Sequence, residues 1–253
     1  MKIVVCCKIV PDEEQIQVLP DRKLSMENTP WKISQYDLNA LEVGKQLAAA
    51  TGGTVTALSV GNSAALDSSK IRKDVLSRGA DDLSLIISDA HAFSDSLETA
   101  KSLAAFLKDN EFDLVLCGTG SSDLYAQEVG IQLGELLGIP SINNITAITA
   151  KGSSVEAERA LEDSVEILEI SLPAVLSVSS EINTPAVPAM RDIMRAGKKP
   201  VELPEVNLDS AISSVETLEQ LAPEQQERRQ EIVEGDGDEA VDALIKFLRK
   251  EVL

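Results

Sequence analysis

Four times in its first 138 residues this chain presents a short apolar run followed by a helical pattern. The runs are Lys2 to Val10, Thr54 to Val60, Leu83 to Ile87 and Leu114 to Cys117. Near-continuous apolar runs bounded by Gly, Pro or Asp read as buried strands. The helical patterns cover Ser34 to Gly52, Ala64 to Leu76 with Gly79 as its C-cap, and Leu97 to Leu107. A fourth has apolar positions at Val129, Leu133, Leu136 and Leu137 and stops at Gly138 and Pro140. Strands alternating with helices of this length require parallel pairing through right-handed crossovers, so the expected fold is α/β with a doubly wound, mostly parallel sheet. Ligands of such sheets bind beyond the carboxyl ends of the strands, where the strand order reverses. Cys6 to Val10, Val60-Gly61 and Gly118 to Asp123 all fall at that edge.

The stretch from Asp113 to Gly138 is the most informative of the four. Its strand breaks into Gly118-Thr119-Gly120-Ser121-Ser122-Asp123, a loop of small and hydroxylated residues ahead of a helix. Glycines let a backbone approach a phosphate closely, and serine hydroxyls add donors without bulk. Neither GxGxxG nor the Lys-Ser/Thr of a P-loop is present, so the pattern reads as phosphate or nucleotide, or as a tight βα turn without a ligand.

Composition narrows the class. The chain has 253 residues, 43% of them apolar and only 3% aromatic, so its core must be built from Ala, Val, Ile and Leu. A formal charge of −19 argues against nucleic acid and anionic membranes as partners. Any phosphate is then expected to be held by backbone amides and hydroxyls. Cys6, Cys7 and Cys117 all fall in expected strands. Adjacent Cys6 and Cys7 point to opposite faces, which suits buried thiols in a reducing cytoplasm better than a disulfide, a redox role or a metal site. There is no signal-peptide pattern and no apolar run near 18 residues, which reads as a soluble cytoplasmic protein.

The remaining segments are less regular. Residues 11–33 read as a small hairpin or excursion, with Trp31 packing under it. Ser34 with Asp37 fits a capping box with Asp in place of Glu. Arg72, Lys73 and Arg78 lend local basic character, and His91, the sole histidine, sits in a polar loop without catalytic company. Ser154 to Arg159 and Glu166 to Ser171 read as a hairpin at the sheet margin, and Leu172 to Val178 as another buried strand. A proline-punctuated loop, Asn183 to Met190, then leads into a short helix with Ile193 and Met194, followed by Arg195, Lys198 and Lys199 as polar rim or solvated groups. Beyond Pro200 there are 14 acidic residues against 5 basic ones. A final helix from about Asp238 to Leu253 carries an apolar stripe at Val241, Leu244, Ile245 and Leu248. The expected organisation is an α/β domain over 1–200 and a C-terminal arm over 201–253.

Several segments together resemble one family. MKIVVCCKIVPDEEQ, KISQYDLNALEVG, RKDVLSRGADD, LCGTGSSDLYAQEVG, LPAVLSVSSEINTPAVPAMRDIMRAGKKPVEL and the GDG-containing C-terminus look like the β subunit of electron transfer flavoprotein, in particular its FixA-like branch. The likeness covers essentially the whole chain and implies a Rossmann-like, adenine-nucleotide-binding electron-carrier subunit rather than an enzyme. It implies a heterodimer with an α subunit that carries FAD and on which the C-terminal arm packs. The β chain itself would hold AMP, or a second FAD in electron-bifurcating members. On this sequence the nucleotide would contact Cys6, Ser34, Gln35, Tyr36, Asp37 and Val60. The glycine loop would add Gly118, Thr119, Gly120, Ser121, Ser122 and Asp123, and the segment after it Ala126, Gln127, Val129 and Gly130. Pro185, Pro188, Met190, Ile193 and Arg195 would form a recognition loop that docks a dehydrogenase or a quinone oxidoreductase, with Met190 as a flexible apolar anchor. The resemblance is incomplete at two places. The aspartate-rich loop of AMP-binding relatives is here Gly120-Ser121-Ser122-Asp123, which leaves AMP against FAD open, and Ala160 follows Glu158-Arg159 where many relatives have Glu. Two other classes fit a similar sheet. A stand-alone ATP-binding stress or signalling module is one; an ATP pyrophosphatase is the other, although Cys7-Lys8-Ile9-Val10-Pro11 stands where its phosphate loop would be.

Overall fold

The computed structural model of the chain describes residues 1–90, 95–208, 215, 217–224, 232–235 and 237–251. The chain divides into two compact units, one of Met1–Gln17 with Ser25–Glu219 and one of Val18–Leu24 with Gln220–Leu253.

In the first unit the opening segment forms β1 (Lys2–Cys6) and β2 (Ile9–Pro11). The short strands β3 (Gln17–Val18) and β4 (Leu24–Ser25), of which Val18 and Leu24 belong to the second unit, pair with each other, and β5 (Trp31–Ile33) pairs antiparallel with β2. Then come α1 (Gln35–Thr51), β6 (Thr54–Gly61), α2 (Ser63–Leu66), α3 (Ser69–Ser77) and β7 (Asp82–Ile87). They are followed by α4 (Ser96–Leu107), β8 (Leu114–Gly118), α5 (Val129–Leu137), β9 (Ser141–Ala150), β10 (Ser154–Ala160), β11 (Val165–Ser171), β12 (Ala174–Val178), α6 (Met190–Ala196) and β13 (Val201–Glu202). The main sheet has nine strands in the order β11-β10-β9-β12-β8-β1-β6-β7-β13, parallel from β9 through β13 and antiparallel at the β10–β11 margin. From β1 the chain steps outward through β6 to β7, then crosses back to β8 on the other side of β1. The strand order therefore reverses at β1, the doubly wound arrangement expected from the alternation.

Central strands are buried on both faces, which is why their sequences are apolar throughout rather than alternating. Ile3, Val5, Leu114, Leu116 and Leu176 face a layer containing α1 and α3, while Val4, Val115 and Val175 face α4 and α5. Cys6 belongs to the second layer and Cys7 to the first, on opposite faces as the adjacent spacing requires. All three thiols are buried and unpaired by disulfide.

Several local expectations are corrected. The Lys2–Val10 run is not one strand: the Cys7 N–H donates to Leu58 O, Lys8 turns away, and Ile9–Pro11 pairs with β5. The helix expected over Ala64 to Leu76 is two helices, because Asn62 Oδ1 caps one (3.0 Å to Ala65 N) and Ser68 Oγ begins another (3.5 Å to Ile71 N). The cap of α3 is Arg78, one residue ahead of Gly79. The Ser34–Asp37 capping box does not form; both side chains bond to other segments, as described below. Strands β9 and β13 were not expected. Lys199 is not solvated, since its Nζ donates to Leu76 O (2.9 Å) and Ala80 O (2.5 Å), fixing the end of α6 to the α3–β7 connection. His91 lies outside the described residues.

In the second unit, Lys23 bridges to Leu221, Ala222 N–H donates to Arg22 O (2.8 Å), and Arg22 pairs with Glu224 (2.9 Å). Its helix α7 (Asp238–Glu251) leaves Val241, Leu244, Ile245, Phe247 and Leu248 exposed.

Candidate functional site

At the reversal point the carboxyl ends of β1, β6 and β8 form the floor of a cleft of about 810 Å³, counted out to its open mouth. Cys6, Cys7 and Lys8 come from β1 and the residues after it, Leu58 and Val60 from β6, and Cys117 with Gly118 from β8. One wall is the first turns of α4, with Asp95, Ser96, Thr99 and Leu103. The segment from Thr119 to the start of α5 supplies the roof and the other wall.

Asp37 organises the floor. It sits in the first turn of α1, which packs on β1 and β8, and only 6% of its surface is exposed. Its Oδ2 accepts the Lys8 N–H at 2.8 Å and its Oδ1 accepts the Gly118 N–H at 3.0 Å. One carboxylate thus ties together the ends of two neighbouring strands. Burial pushes its pKa up to about 7 against the N–H bonds from Lys8 and Gly118, the Lys8 charge and the Ser34 hydroxyl, all of which favour the ionised form. The closeness of this contact explains Gly118, where a Cβ would lie 2.5 Å from Asp37 Oδ1 and 2.8 Å from the Tyr36 carbonyl carbon.

The roof segment is tied to α1 and β1 from outside the cleft. Ser122 N–H donates to Ser34 Oγ (3.3 Å), Lys8 Nζ pairs with Asp123 (2.7 Å), and the rings of Tyr36 and Tyr125 meet at 5.1 Å. Burial pushes the Asp123 carboxyl up, but the Lys8 ammonium and the bonds from Lys8, Ser121 and the Leu124 N–H hold it below its ordinary value. On the opposite wall, Ser96 Oγ donates to Glu128 Oε2 (2.6 Å), and Gln132 Nε2 donates to the same oxygen (3.1 Å). These bonds fix the start of α4 to the start of α5.

Cys6 and Cys117 sit side by side on β1 and β8. The neighbouring Cys117 thiol, and then burial, raise the Cys6 pKa well above its ordinary value; burial, with the nearby Asp37 charge, does the same for Cys7. The Cys6 and Cys7 thiols stay protonated and serve as apolar floor. Leu58, Val60 and Leu103 extend that floor, while backbone amides and the hydroxyls of Ser96, Thr99 and Ser121 line the rest. Among the described residues Lys8 is the one cationic side chain in the lining, and Asp37, Asp95 and Glu128 are acidic. The cleft thus presents an apolar seat at the strand ends beneath a loop of small residues.

Of the residues expected to contact a nucleotide, Cys6, Asp37, Val60, Gly118, Thr119, Gly120, Ser121, Ala126, Gln127, Val129 and Gly130 line this one cleft. Ser34, Gln35, Tyr36, Ser122 and Asp123 do not line it; apart from exposed Gln35 they hold the roof from behind. Sequence reasoning missed Lys8, Leu58, Cys117 and the α4 wall. The available signal for that wall was Asp95-Ser96 at a helix start after the third strand, and Asp95 is the observed cap, accepting from Leu97 N–H at 3.1 Å. Among the described residues no cluster of metal-ligating side chains occurs, and no helix is long and apolar enough to cross a membrane.

The proline loop lies elsewhere on the first unit. Asn39 Nδ2 donates to Asn183 O (2.8 Å) and Asn183 Nδ2 returns a bond to Asn39 O (3.1 Å), fixing the start of the loop to α1. Beyond that tie Val187, Met190, Ile193 and Met194 are exposed, Met190 by 73%, beside exposed Arg195, while Pro185 and Pro188 are half-buried. An exposed apolar group on a fixed base is the form of a docking surface.

Residues 23–209 match the family model of the electron transfer flavoprotein domain, a span running from just before β4 past β13 that includes the roof segment and α6.

Proposed function

We propose, from the premise that this chain belongs to the electron transfer flavoprotein domain family, and so to electron carriers rather than classical enzymes, that it is the β subunit of a FixA-like heterodimer. In this reading the cleft holds an adenine nucleotide, AMP or FAD, the partner α subunit carries its own FAD, and the proline loop docks the redox partner. The observation that carries it is the convergence of three strand ends beneath a glycine-containing roof, at the one place where a doubly wound sheet reverses its order.

The residues fit such a ligand. Leu58, Val60, Cys6 and Cys117 offer an apolar seat for a base, and Gly118 and Gly120 line the cleft while leaving room on their other side for Asp37 and Tyr125. Ser96, Thr99 and Ser121 line two walls, with their hydroxyl protons engaged by Glu128, the Asp95 carbonyl and Asp123. Bound there, AMP would supply a structural wedge, and FAD a second redox centre. Lys8 is committed to Asp123 and the lining hydroxyls to protein acceptors, so phosphate charge falls chiefly to backbone amides.

The test is to co-purify the chain with its α partner, denature the complex and identify the nucleotide released by chromatography and absorbance. One FAD with one AMP per heterodimer is the outcome for a simple shuttle. Two FAD and no AMP would make this chain a redox carrier and bifurcation the working mechanism. FAD alone at one per heterodimer would overturn the reading of the cleft.

Docking has its own test. Met190→Glu places a charge on a side chain already 73% exposed, so the folded chain should be unaffected. If Met190 anchors the partner, the apparent affinity for the electron-donating dehydrogenase should fall about 30-fold, as for an interface hot spot worth ~2 kcal/mol. An unchanged KM for that dehydrogenase would remove Met190 from the interface.

A further inference from the structure

The chain contains only two tyrosines, and they touch each other behind the roof of the cleft, outside its lining. Tyr36 lies in the first turn of α1 and Tyr125 in the roof segment, far apart in sequence, yet their ring centroids are 5.1 Å apart at an interplanar angle of 38°. That is the tilted geometry favoured by an aromatic pair. We propose that this pair fastens residues 119–128 over the cleft as a strap, and that its parting sets how fast a nucleotide enters and leaves. The inference rests on the nucleotide reading given above.

Four observations carry it. First, the strap lines the cleft through Gly120, Ser121, Leu124, Ala126 and Gln127, whereas neither tyrosine does, so the rings hold the strap without touching its contents. Second, Tyr125 packs over bare Gly120, where a Cβ would lie 2.7 Å from the ring, so this ring position requires that glycine. Third, Tyr125 and Gln127 adopt left-handed backbone conformations (φ 49° and 61°) although neither is glycine. Such conformations are unfavourable for these residues and persist only where surrounding contacts hold them. Fourth, Tyr125 is 46% exposed, so the rings can part without opening the core.

The other external ties are weaker candidates for the fastener. Lys8–Asp123 is a partly exposed ion pair, subject to screening, and the Ser122 N–H to Ser34 Oγ bond is long at 3.3 Å. The aromatic pair is the contact that salt leaves intact.

The experiment uses the full-length chain with AMP and FAD as separate probes. In Tyr125→Ala, amides 120–127 should exchange hydrogen about tenfold faster in the absence of nucleotide, and both probes should dissociate about five- to tenfold faster. Tyr125→Phe keeps the ring but drops its hydroxyl bond to Tyr36, and should fall between the parent and Tyr125→Ala, within about threefold of the parent rate. With 3-fluorotyrosine incorporated, the chain has two fluorine resonances, both from the fastener, and both should shift when either probe binds. Unchanged exchange in Tyr125→Ala, or release at the parent rate, overturns the strap and leaves the nucleotide reading standing. Failure of the parent chain to bind either probe, with faster exchange in Tyr125→Ala, overturns the nucleotide reading and the gating role together.

Discussion

Replacing Gly118 by alanine is expected to destabilise the protein by about 2–5 kcal/mol and to abolish ligand binding in the cleft. The added methyl would lie 2.5 Å from Asp37 Oδ1 and 2.8 Å from both the carbonyl carbon and the Cβ of Tyr36. All three atoms belong to residues in the first turn of a helix whose packing on β1 and β8 fixes its position, so the two Tyr36 carbons cannot retreat cheaply. If Asp37 moves instead, the Gly118 N–H loses its 3.0 Å acceptor beside the fully buried strand β8. Overpacking and an unpaired buried donor then act together. Urea unfolding reads the loss as a lower midpoint with unchanged slope; a midpoint within about 0.5 kcal/mol of the parent would show that the strand ends yield more readily than this packing implies.

Removing the carboxylate is expected to have a comparable effect with a characteristic pH dependence. Asp37→Ala strands two backbone donors, Lys8 N–H and Gly118 N–H, at about 1–3 kcal/mol each. The native carboxyl titrates near 7 against an ordinary 3.8, so between these values the folded chain binds more protons than the unfolded one. Stability contributed by Asp37 is therefore complete below about pH 4 and is lost as pH rises through 7, by at most about 4 kcal/mol. The variant lacks this loss. The stability gap between parent and Asp37→Ala should accordingly be larger at pH 5 than at pH 8, read as the difference between their urea midpoints. A gap that widens with pH would mean that the N–H bonds and Lys8 outweigh burial, and that Asp37 is an ordinary ionised carboxylate.

Periodicity made much of the fold legible. Alternating apolar runs and helical patterns specify strands buried on both faces, and the adjacent Cys6 and Cys7 could be assigned to opposite layers without knowing what covers them. Strand β9 escaped because Asn143-Asn144 reads as a turn and Ile142, Ile145 and Ile148 recur every three residues, closer to a helical than a strand spacing. Pairing on both sides, with β12 and β10, overrides that local pattern. Asn144 adopts φ 58° there and its Nδ2 donates to Ala160 O at 2.7 Å. The capping box failed for a related reason. Ser34 and Asp37 have the spacing to cap their own helix, but donors from Ser122, Lys8 and Gly118 occupy those oxygens, and a buried N–H left unpaired costs more than an uncapped helix end facing water.

The amino-acid sequence alone determined the alternation of central strands and helices, which thiols are buried and where a glycine-containing loop leaves the sheet, because hydrophobic periodicity and backbone freedom are local properties. Tertiary structure alone decided that the first turns of α4 form a wall of the cleft, that one carboxylate joins the ends of β1 and β8, and that Tyr36 meets Tyr125. Those polar and aromatic contacts join segments 29 to 89 residues apart. Their partners are set by strand order and register, which follow from how the whole core packs rather than from any residue's neighbours in the chain.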